Sequence, residues 1–386
     1  MKSELFRKGW KNITLGKVLT FQRGFDITKR QLQPGEYDVI FSSGLGGKHN
    51  EYKVKSPGVV IGRKGTLGTV FFAKSNFWAT DTTLWVKDFH GNDEKFAYYF
   101  LQTLHLEQYD CGSANPTLNR NHIHELPISY PSLPTQKKIA GILSAYDDLI
   151  ENNTRRIKIL EEMAQTLYHE WFVKFRFPGH KHTILKDICE SIVDCEHKTA
   201  PIQATGYPSI RTPNIGKGLL LLDKVNRVSE EIYQMWTKRA IPQTNDLILA
   251  REAPIGNVAI IPSNLKLCLG QRTVLIRPDK NKVEPYYLLY SLLSDEIQTK
   301  FLAFSNGATV HHLNMKDIRD LELPKFAPIS IQKKFNYIVS NYYELIFNLM
   351  EKNSNLRQSR DLLLPKLISG EIDVEHLEIT IEDIAA

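Results

Sequence analysis

Residues 134–153 read PTQKKIAGILSAYDDLIENN and residues 330–349 read SIQKKFNYIVSNYYELIFNL, so Gln-Lys-Lys returns 196 positions on, from Gln136 to Gln332. Apolar residues follow at matching places. The repeat continues outward on both sides. GVVIGRKGTLGTVFF (58–72) matches DLILAREAPIGNVAI (246–260), pairing Arg63 with Arg251 and Gly68 with Gly256. TDTTLWVK (80–87) matches GQRTVLIR (270–277), and YYFLQTL (98–104) matches YYLLYSL (286–292). GSANPTLNRNHIHELP (112–127) matches GATVHHLNMKDIRDLELP (307–324), with Leu118-Asn119 against Leu313-Asn314. Several segments agree in order at nearly constant offset, so the chain is an internal duplication. It predicts a globular unit at 1–133, a long helix at 134–178, a second unit at 179–327, a second helix at 328–372 and an acidic tail at 373–386.

The fold class this predicts is α+β, with two α/β units and two long helices. Runs such as GVVIG, GTVFFA and NVAII, bounded by Gly and Pro, read as short strands. Gly65, Gly68 and Gly256 fall where a hairpin turn needs a permissive backbone. KFAYYFLQTL and PYYLLYSLLS read as short helices, the second with Pro285 at its start.

In the first long helix the apolar seam runs Ile139, Ile142, Tyr146, Leu149, Asn153, Ile157, Leu160, Ala164, Leu167, Trp171. In the second it runs Phe335, Ile338, Tyr342, Leu345, Leu349, Asn353, Leu356, Arg360, Leu363, Leu367. Steps of three and four with one stutter are coiled-coil spacing. The alternative is two unrelated amphipathic helices, each covering its own unit. The spacing is nearly palindromic about residue 155, so an antiparallel pair would match knob for knob, with Asn153 meeting Asn353 and Ile157 meeting Leu349. At 1.5 Å per residue such a pair forms a rod of roughly 50 Å, a spacer between two globular ends.

Composition narrows the function. The 386 residues carry a net charge of +6. Residues 1–133 hold 17 Lys and Arg against 12 Asp and Glu, and residues 179–327 hold 19 against 16. That basic excess suits a polyanion partner. No stretch of about 18 apolar residues occurs, so no membrane span is expected. Four cysteines and an N-terminus without an apolar run point to the cytoplasm.

No catalytic centre is legible. SGLGGKHN (43–50) fails the phosphate-loop pattern at both ends and reads as a flexible loop. Asp38 with EYK (51–53) has nuclease-like lettering that nothing else supports. Cys189, Cys195 and His197 lack zinc spacing and a further ligand pair, so no metal is expected. NPT (115–117) lacks a methyltransferase aromatic, and neither a Gly-rich cofactor motif nor G-x-S-x-G occurs.

What recurs is chemistry suited to nucleic acid. Arg can grip guanine edges, Asn can grip adenine and Lys suits phosphates. The candidates are Lys48, His49, Arg63, Lys64, Asn119 and Arg120 in the first unit. In the second they are Arg211, Asn214 and Lys217 in SIRTPNIGKG, then Arg251, Arg272, His311 and His312. Arg63, Arg251 and Arg272 are expected to face DNA.

LPTQKKIAGILSAYDDLIENNTRRIKILEEMAQTLYHEWF closely resembles the central helix of specificity subunits of type I restriction–modification systems. NDLILAREAPIGNVAI, CLGQRTVLIRPD and GATVHHLNMKDIRDLELP resemble segments of that family's target recognition domains. The resemblance covers almost the whole chain. It implies that each unit reads one half of a bipartite, asymmetric site on double-stranded DNA, and that the helices set the spacing and dock two methyltransferase subunits. Those partners would bring S-adenosylmethionine, and motor–nuclease subunits would bring ATP-driven cleavage. The chain itself would need no cofactor and catalyse nothing. A coiled-coil scaffold that binds only proteins is the other reading.

Overall fold

The structure, a computed structural model, describes residues 9–112, 116–174, 181–305 and 312–377. It divides into two compact units, Met1–Asn152 with Lys352–Ala386, and Asn153–Glu351. Both long helices contribute to both units.

Unit 1 holds strands β1 (Trp10–Thr14), β2 (Thr20–Arg23), β3 (Tyr37–Phe41), β4 (Gly44–His49), β5 (Gly58–Gly62), β6 (Val70–Ala73), β7 (Phe77–Ala79), β8 (Thr83–Asp88) and β9 (Pro127–Pro131). With them are α1 (Glu94–Gln102), α2 (Arg120–His124) and the start of α3 (Leu133–Tyr168). The strands form one sheet in the order β2–β8–β5–β6, a second in the order β4–β3–β7, and a β1–β9 pair.

Unit 2 holds β10 (Lys181–Ile184), β11 (Cys189–Asp194), β12 (Tyr207–Ile210), β13 (Arg227–Val228), β14 (Leu247–Ala250), β15 (Val258–Ile260), β16 (Cys268–Leu269), β17 (Thr273–Pro278) and β18 (Glu322–Phe326). Its helices are α4 (Glu230–Trp236), α5 (Pro285–Leu293), α6 (Asp295–Ser305), α7 (Met315–Arg319) and most of α8 (Ile329–Ile368). The sheets repeat the same plan: β11–β17–β14–β15, β13–β12–β16 and β10–β18. In both units the only parallel neighbours within the named strands are the matched pairs β3 with β7 and β12 with β16. Duplication of sequence is duplication of topology.

The turn glycines act as their positions require. Gly68 (φ +73°) donates to the Gly62 carbonyl at 3.0 Å, and Gly256 (φ +80°) donates to the Ala250 carbonyl at 3.1 Å. SGLGGKHN is not the expected flexible loop. It forms β4, laddered antiparallel on β3 with one register shift. A Cβ on Gly46 would lie 2.2 Å from the Phe41 ring, so this glycine makes room for an aromatic cover.

Each long helix is fastened at its start by the glutamine of the repeated motif. Buried Gln136 donates to the Pro131 carbonyl (2.9 Å) and to Asn92 Oδ1 (2.8 Å), and accepts from the Asp93 amide (3.0 Å). Buried Gln332 donates to the Ala327 carbonyl (2.7 Å) and accepts from the Glu284 amide (3.0 Å). Asp93 and Glu284 are the N-caps of α1 and α5. One amide thereby joins the strand before the long helix to the start of a helix in the lobe.

Within each unit the two long helices run antiparallel. In unit 1 Asp147 pairs with Arg360, and the Asn353 amide donates to the Ile150 carbonyl. In unit 2 Tyr168 and Phe172 pack edge-on against Phe335 and Trp171 lies tilted on it, while burial first, then Tyr290 and the charge of Glu161, raise the Tyr343 pKa. Unit 1 buries Ile139, Leu143, Leu367 and Ile368 in one core, and unit 2 buries Ala164, Phe172, Phe335, Val339, Tyr343 and Ile346 in another. Asn153, Leu349 and Asn353 are buried too.

The expected seam needs one correction in both helices. Leu149 and Leu345 are 51% and 46% exposed, and Ile142 and Ile338 are only half-buried. The buried line passes through Leu143, Val339 and Ile346 instead. Near its start each helix packs on its own lobe, and its buried face follows the 3.6-residue period there, not the 3.5 of a coiled coil. Among the described residues no helix is long and apolar enough to cross a membrane.

Replacing Gln136 or Gln332 by Ala should cost on the order of 1–3 kcal/mol, because buried partners are left unpaired. Urea unfolding, with amide exchange at Asp93 or Glu284, reads this out. Leu345→Lys should change stability by less than about 0.5 kcal/mol, whereas Ile346→Ala should cost about 2–5 kcal/mol. Equal costs would return Leu345 to the seam.

Candidate nucleic-acid interface

In unit 1 the β5–β6 hairpin carries Arg63 and Lys64, and the backbone of Arg63 is tied on both sides. Its amide donates to the Thr82 carbonyl at 2.9 Å and its carbonyl accepts from Leu118 at 2.9 Å. Asn119 then caps α2 by accepting from the Asn121 amide at 3.0 Å, which sets exposed Arg120 in its first turn. These elements enclose an open cleft of about 800 Å³ lined by Arg23, Phe25, Arg63, Asn119 and Arg120 among others. Phe25 stacks on Trp85, with ring centroids 6.3 Å apart.

Arg23 contacts Asp26 at 2.9 Å and Asp81 at 3.5 Å, and Arg63 donates to the Asp81 carbonyl at 3.2 Å. Partial burial first, and then the like charge of Arg23, lower the Arg63 pKa. Among the described residues no carboxylate lies within ion-pair distance of Arg63 or Arg120. Guanidinium groups, an amide and an aromatic around open space suit a polyanion with flat bases.

The other candidates of unit 1 lie elsewhere. Lys64 is exposed and bridges to Thr117. Lys48 is exposed but pairs with Asp38 at 3.1 Å and donates to the Glu36 carbonyl. His49 is buried, accepts from the Gln33 amide through Nδ1 at 3.1 Å, and packs edge-on against Trp78. It supports the β3–β4 sheet and does not present a face to solvent.

Unit 2 repeats the backbone and changes the charges. The Arg251 amide donates to the Arg272 carbonyl, and its own carbonyl accepts from Leu313, both at 2.9 Å, as around Arg63. Its side chain differs. Both Asp194 oxygens accept from Nη1 at 2.7 and 2.8 Å, and Nε donates to the Leu313 carbonyl at 2.9 Å. The Arg251 and Asp194 side chains are 13% and 19% exposed. Expected to face DNA, Arg251 is instead spent inside its lobe. Arg272 has φ +66°, is 60% exposed and pairs with Glu252 at 2.8 Å.

Asn214 is also committed internally. It is buried, accepts from the Arg211 amide and donates to the Leu221 carbonyl. Arg211 and Lys217 flank it and are exposed. His312 is half-buried, and His311 lies outside the described residues. Asp194, Cys195 and His197 place their ligand atoms within 4.8 Å of one another. Cys189 is at the far end of β11, its thiol pushed up to about 12 by burial. Asp194 is occupied by Arg251 and the Cys195 thiol accepts from the Arg272 amide at 3.1 Å.

Arg23 is the residue that motif reading missed. FQRGFD has no counterpart at the constant offset, because the spacing between β2 and β5 differs from that between β11 and β14. Only strand pairing reveals its place.

His49→Ala should lower stability by about 1–3 kcal/mol, since it removes a buried ring packed on Trp78 and its hydrogen bond from the Gln33 amide. Thermal unfolding measures this, and DNA affinity per folded molecule should stay unchanged. A loss of affinity at full stability would give His49 to the interface.

Residues 7–162 and 181–357 match the type I restriction modification DNA specificity domain. The type I restriction enzyme MjaIX specificity subunit of Methanocaldococcus jannaschii is 27% identical over 387 residues, 91% of this chain and 87% of that protein. The EcoprrI specificity subunit of Escherichia coli is 29% identical over 161 residues, 40% of each. In fold, the crystal structure of a type I restriction–modification S subunit from M. genitalium superimposes with a TM-score of 0.64, at 18% identity, over 95% of this chain and 97% of that one.

Proposed function

The chain belongs to the type I restriction modification DNA specificity family, and from that membership we propose that it reads a bipartite, asymmetric DNA target, one half with each lobe. The observation that carries this reading is the unit 1 cleft, where Arg23, Arg63, Arg120, Asn119 and Phe25 line one open space. The repeated sheet plan supports a second reading surface of the same build. The two lobes differ in the side chains on that plan, so the half-sites differ.

On this reading the paired helices set the gap between half-sites and dock two methyltransferase subunits, which supply S-adenosylmethionine and the methyl-transfer chemistry. Motor–nuclease subunits join through that complex. This cytoplasmic chain supplies specificity and no catalysis.

Two measurements test it. Log affinity for duplex DNA should fall linearly with log salt, at a slope of about 0.9 per neutralised phosphate. Salt-indifferent behaviour would favour a scaffold that binds only proteins. Exchanging residues 179–325 for the second lobe of a relative, with methylated adenines mapped after co-expression with the methyltransferase, should change one half of the target only. If both halves change, or neither does, modular reading is wrong.

A further inference from the structure

Strand pairing puts Arg23 and Asp194 at one position of the repeated plan. Arg23 faces Leu84 across β2 and β8, and Asp194 faces Val274 across β11 and β17. Leu84 and Val274 are themselves equivalent, since each has its other neighbour in the matched strands, Ile61 of β5 and Leu249 of β14. The charge at this position is reversed between the units. The residue three further on differs too: Arg23 pairs with Asp26 at 2.9 Å, and Asp194 contacts His197 at 3.1 Å.

The reversal decides what the equivalent arginines can do. In unit 2 the Asp194 carboxylate takes two hydrogen bonds from Arg251, in a pair mostly withdrawn from water. A charge-assisted pair of that geometry holds the guanidinium in place and cancels its charge. In unit 1 the same position brings a second guanidinium toward Arg63. The acids nearby neutralise it only in part: Asp26 is 86% exposed, where an ion pair is worth little, and Asp81 contacts Arg23 at 3.5 Å. Arg120 adds a third cation to the same cleft. Two guanidiniums lining one cleft repel, and an anion between them relieves that repulsion while accepting hydrogen bonds from both.

We propose that the unit 1 cleft is a DNA-phosphate site formed by Arg23, Arg63 and Arg120, and that Asp194 keeps the equivalent place in unit 2 from being one. This rests on the DNA-binding reading and deepens it. The lobes share a backbone but divide the work: unit 1 grips the DNA backbone at this point, and unit 2 holds its arginine as a structural tie.

The test uses the full chain, a short duplex of arbitrary sequence and a range of KCl concentrations. Arg23→Asp, which gives unit 1 the charge arrangement of unit 2, should make the slope of log affinity against log salt shallower by about 1–2. Asp194→Asn should make it steeper by about 1 and tighten binding, a gain that misfolding cannot imitate. A wild-type slope for Arg23→Asp with an unaltered circular dichroism spectrum overturns the unit 1 site, and an unchanged Asp194→Asn overturns the role of Asp194. Arg23-dependent binding of inorganic phosphate with the DNA slope unchanged would assign the site to a free anion and also overturn the proposal. If the wild-type chain is itself indifferent to salt, it is the DNA-binding reading that fails.

Discussion

A single side-chain amide, present twice, connects the parts of this protein. Gln136 and Gln332 sit in the first turn of each long helix, almost wholly out of water, and each joins the strand behind it to the N-cap of a lobe helix. A buried amide that lacked partners would be a liability of 1–3 kcal/mol or so. With both ends satisfied it becomes a directional clamp, which apolar packing alone does not supply. A side-chain amide carries an NH2 that donates and a carbonyl that accepts at one tip, as these bonds require, and Gln has a longer reach than Asn. This is the physical content of the Gln-Lys-Lys repeat.

Beyond the clamp the long helices change partners along their length. Their first turns pack on a lobe through Ile139 and Leu143, or through Phe335, Val339 and Tyr343. The opposite end of the other helix covers the same core, with Leu367 and Ile368 in unit 1 and Phe172 in unit 2. Each core is therefore closed by residues far apart in sequence. Neither lobe is complete without a piece of both helices, and loop-closure entropy makes such contacts slow to assemble relative to local ones.

Evolution of the two lobes kept the backbone and rewrote the charges. Arg63 and Arg251 make the same main-chain bonds at the same 2.9 Å lengths. Around them one lobe places Arg23 and the other Asp194. Backbone hydrogen bonds hold the frame, since an unpaired amide there is costly. The side-chain positions facing solvent or a cleft bear no such constraint and are where the two lobes can diverge.

Duplication, the α+β class, both hairpins and both long helices were determined by the sequence itself, because each is a local or periodic signal. Gly68 and Gly256 mark turns whatever surrounds them, and a 40-residue amphipathic run such as α8 has few alternatives. Family resemblance was legible for the same reason, since contiguous motifs survive divergence. The tertiary structure alone decided which cations are available. Arg251 looked equivalent to Arg63 by every sequence measure, yet Asp194, 57 residues away, occupies it; Arg23, 40 residues from Arg63, went unnoticed. Leu149 and Leu345 read as seam and are about half exposed, since the face a helix buries depends on what packs against it. Charge neutralisation and facial burial are properties of neighbours in space, and the pairing of β2 with β8 and of β11 with β17 brings those neighbours together.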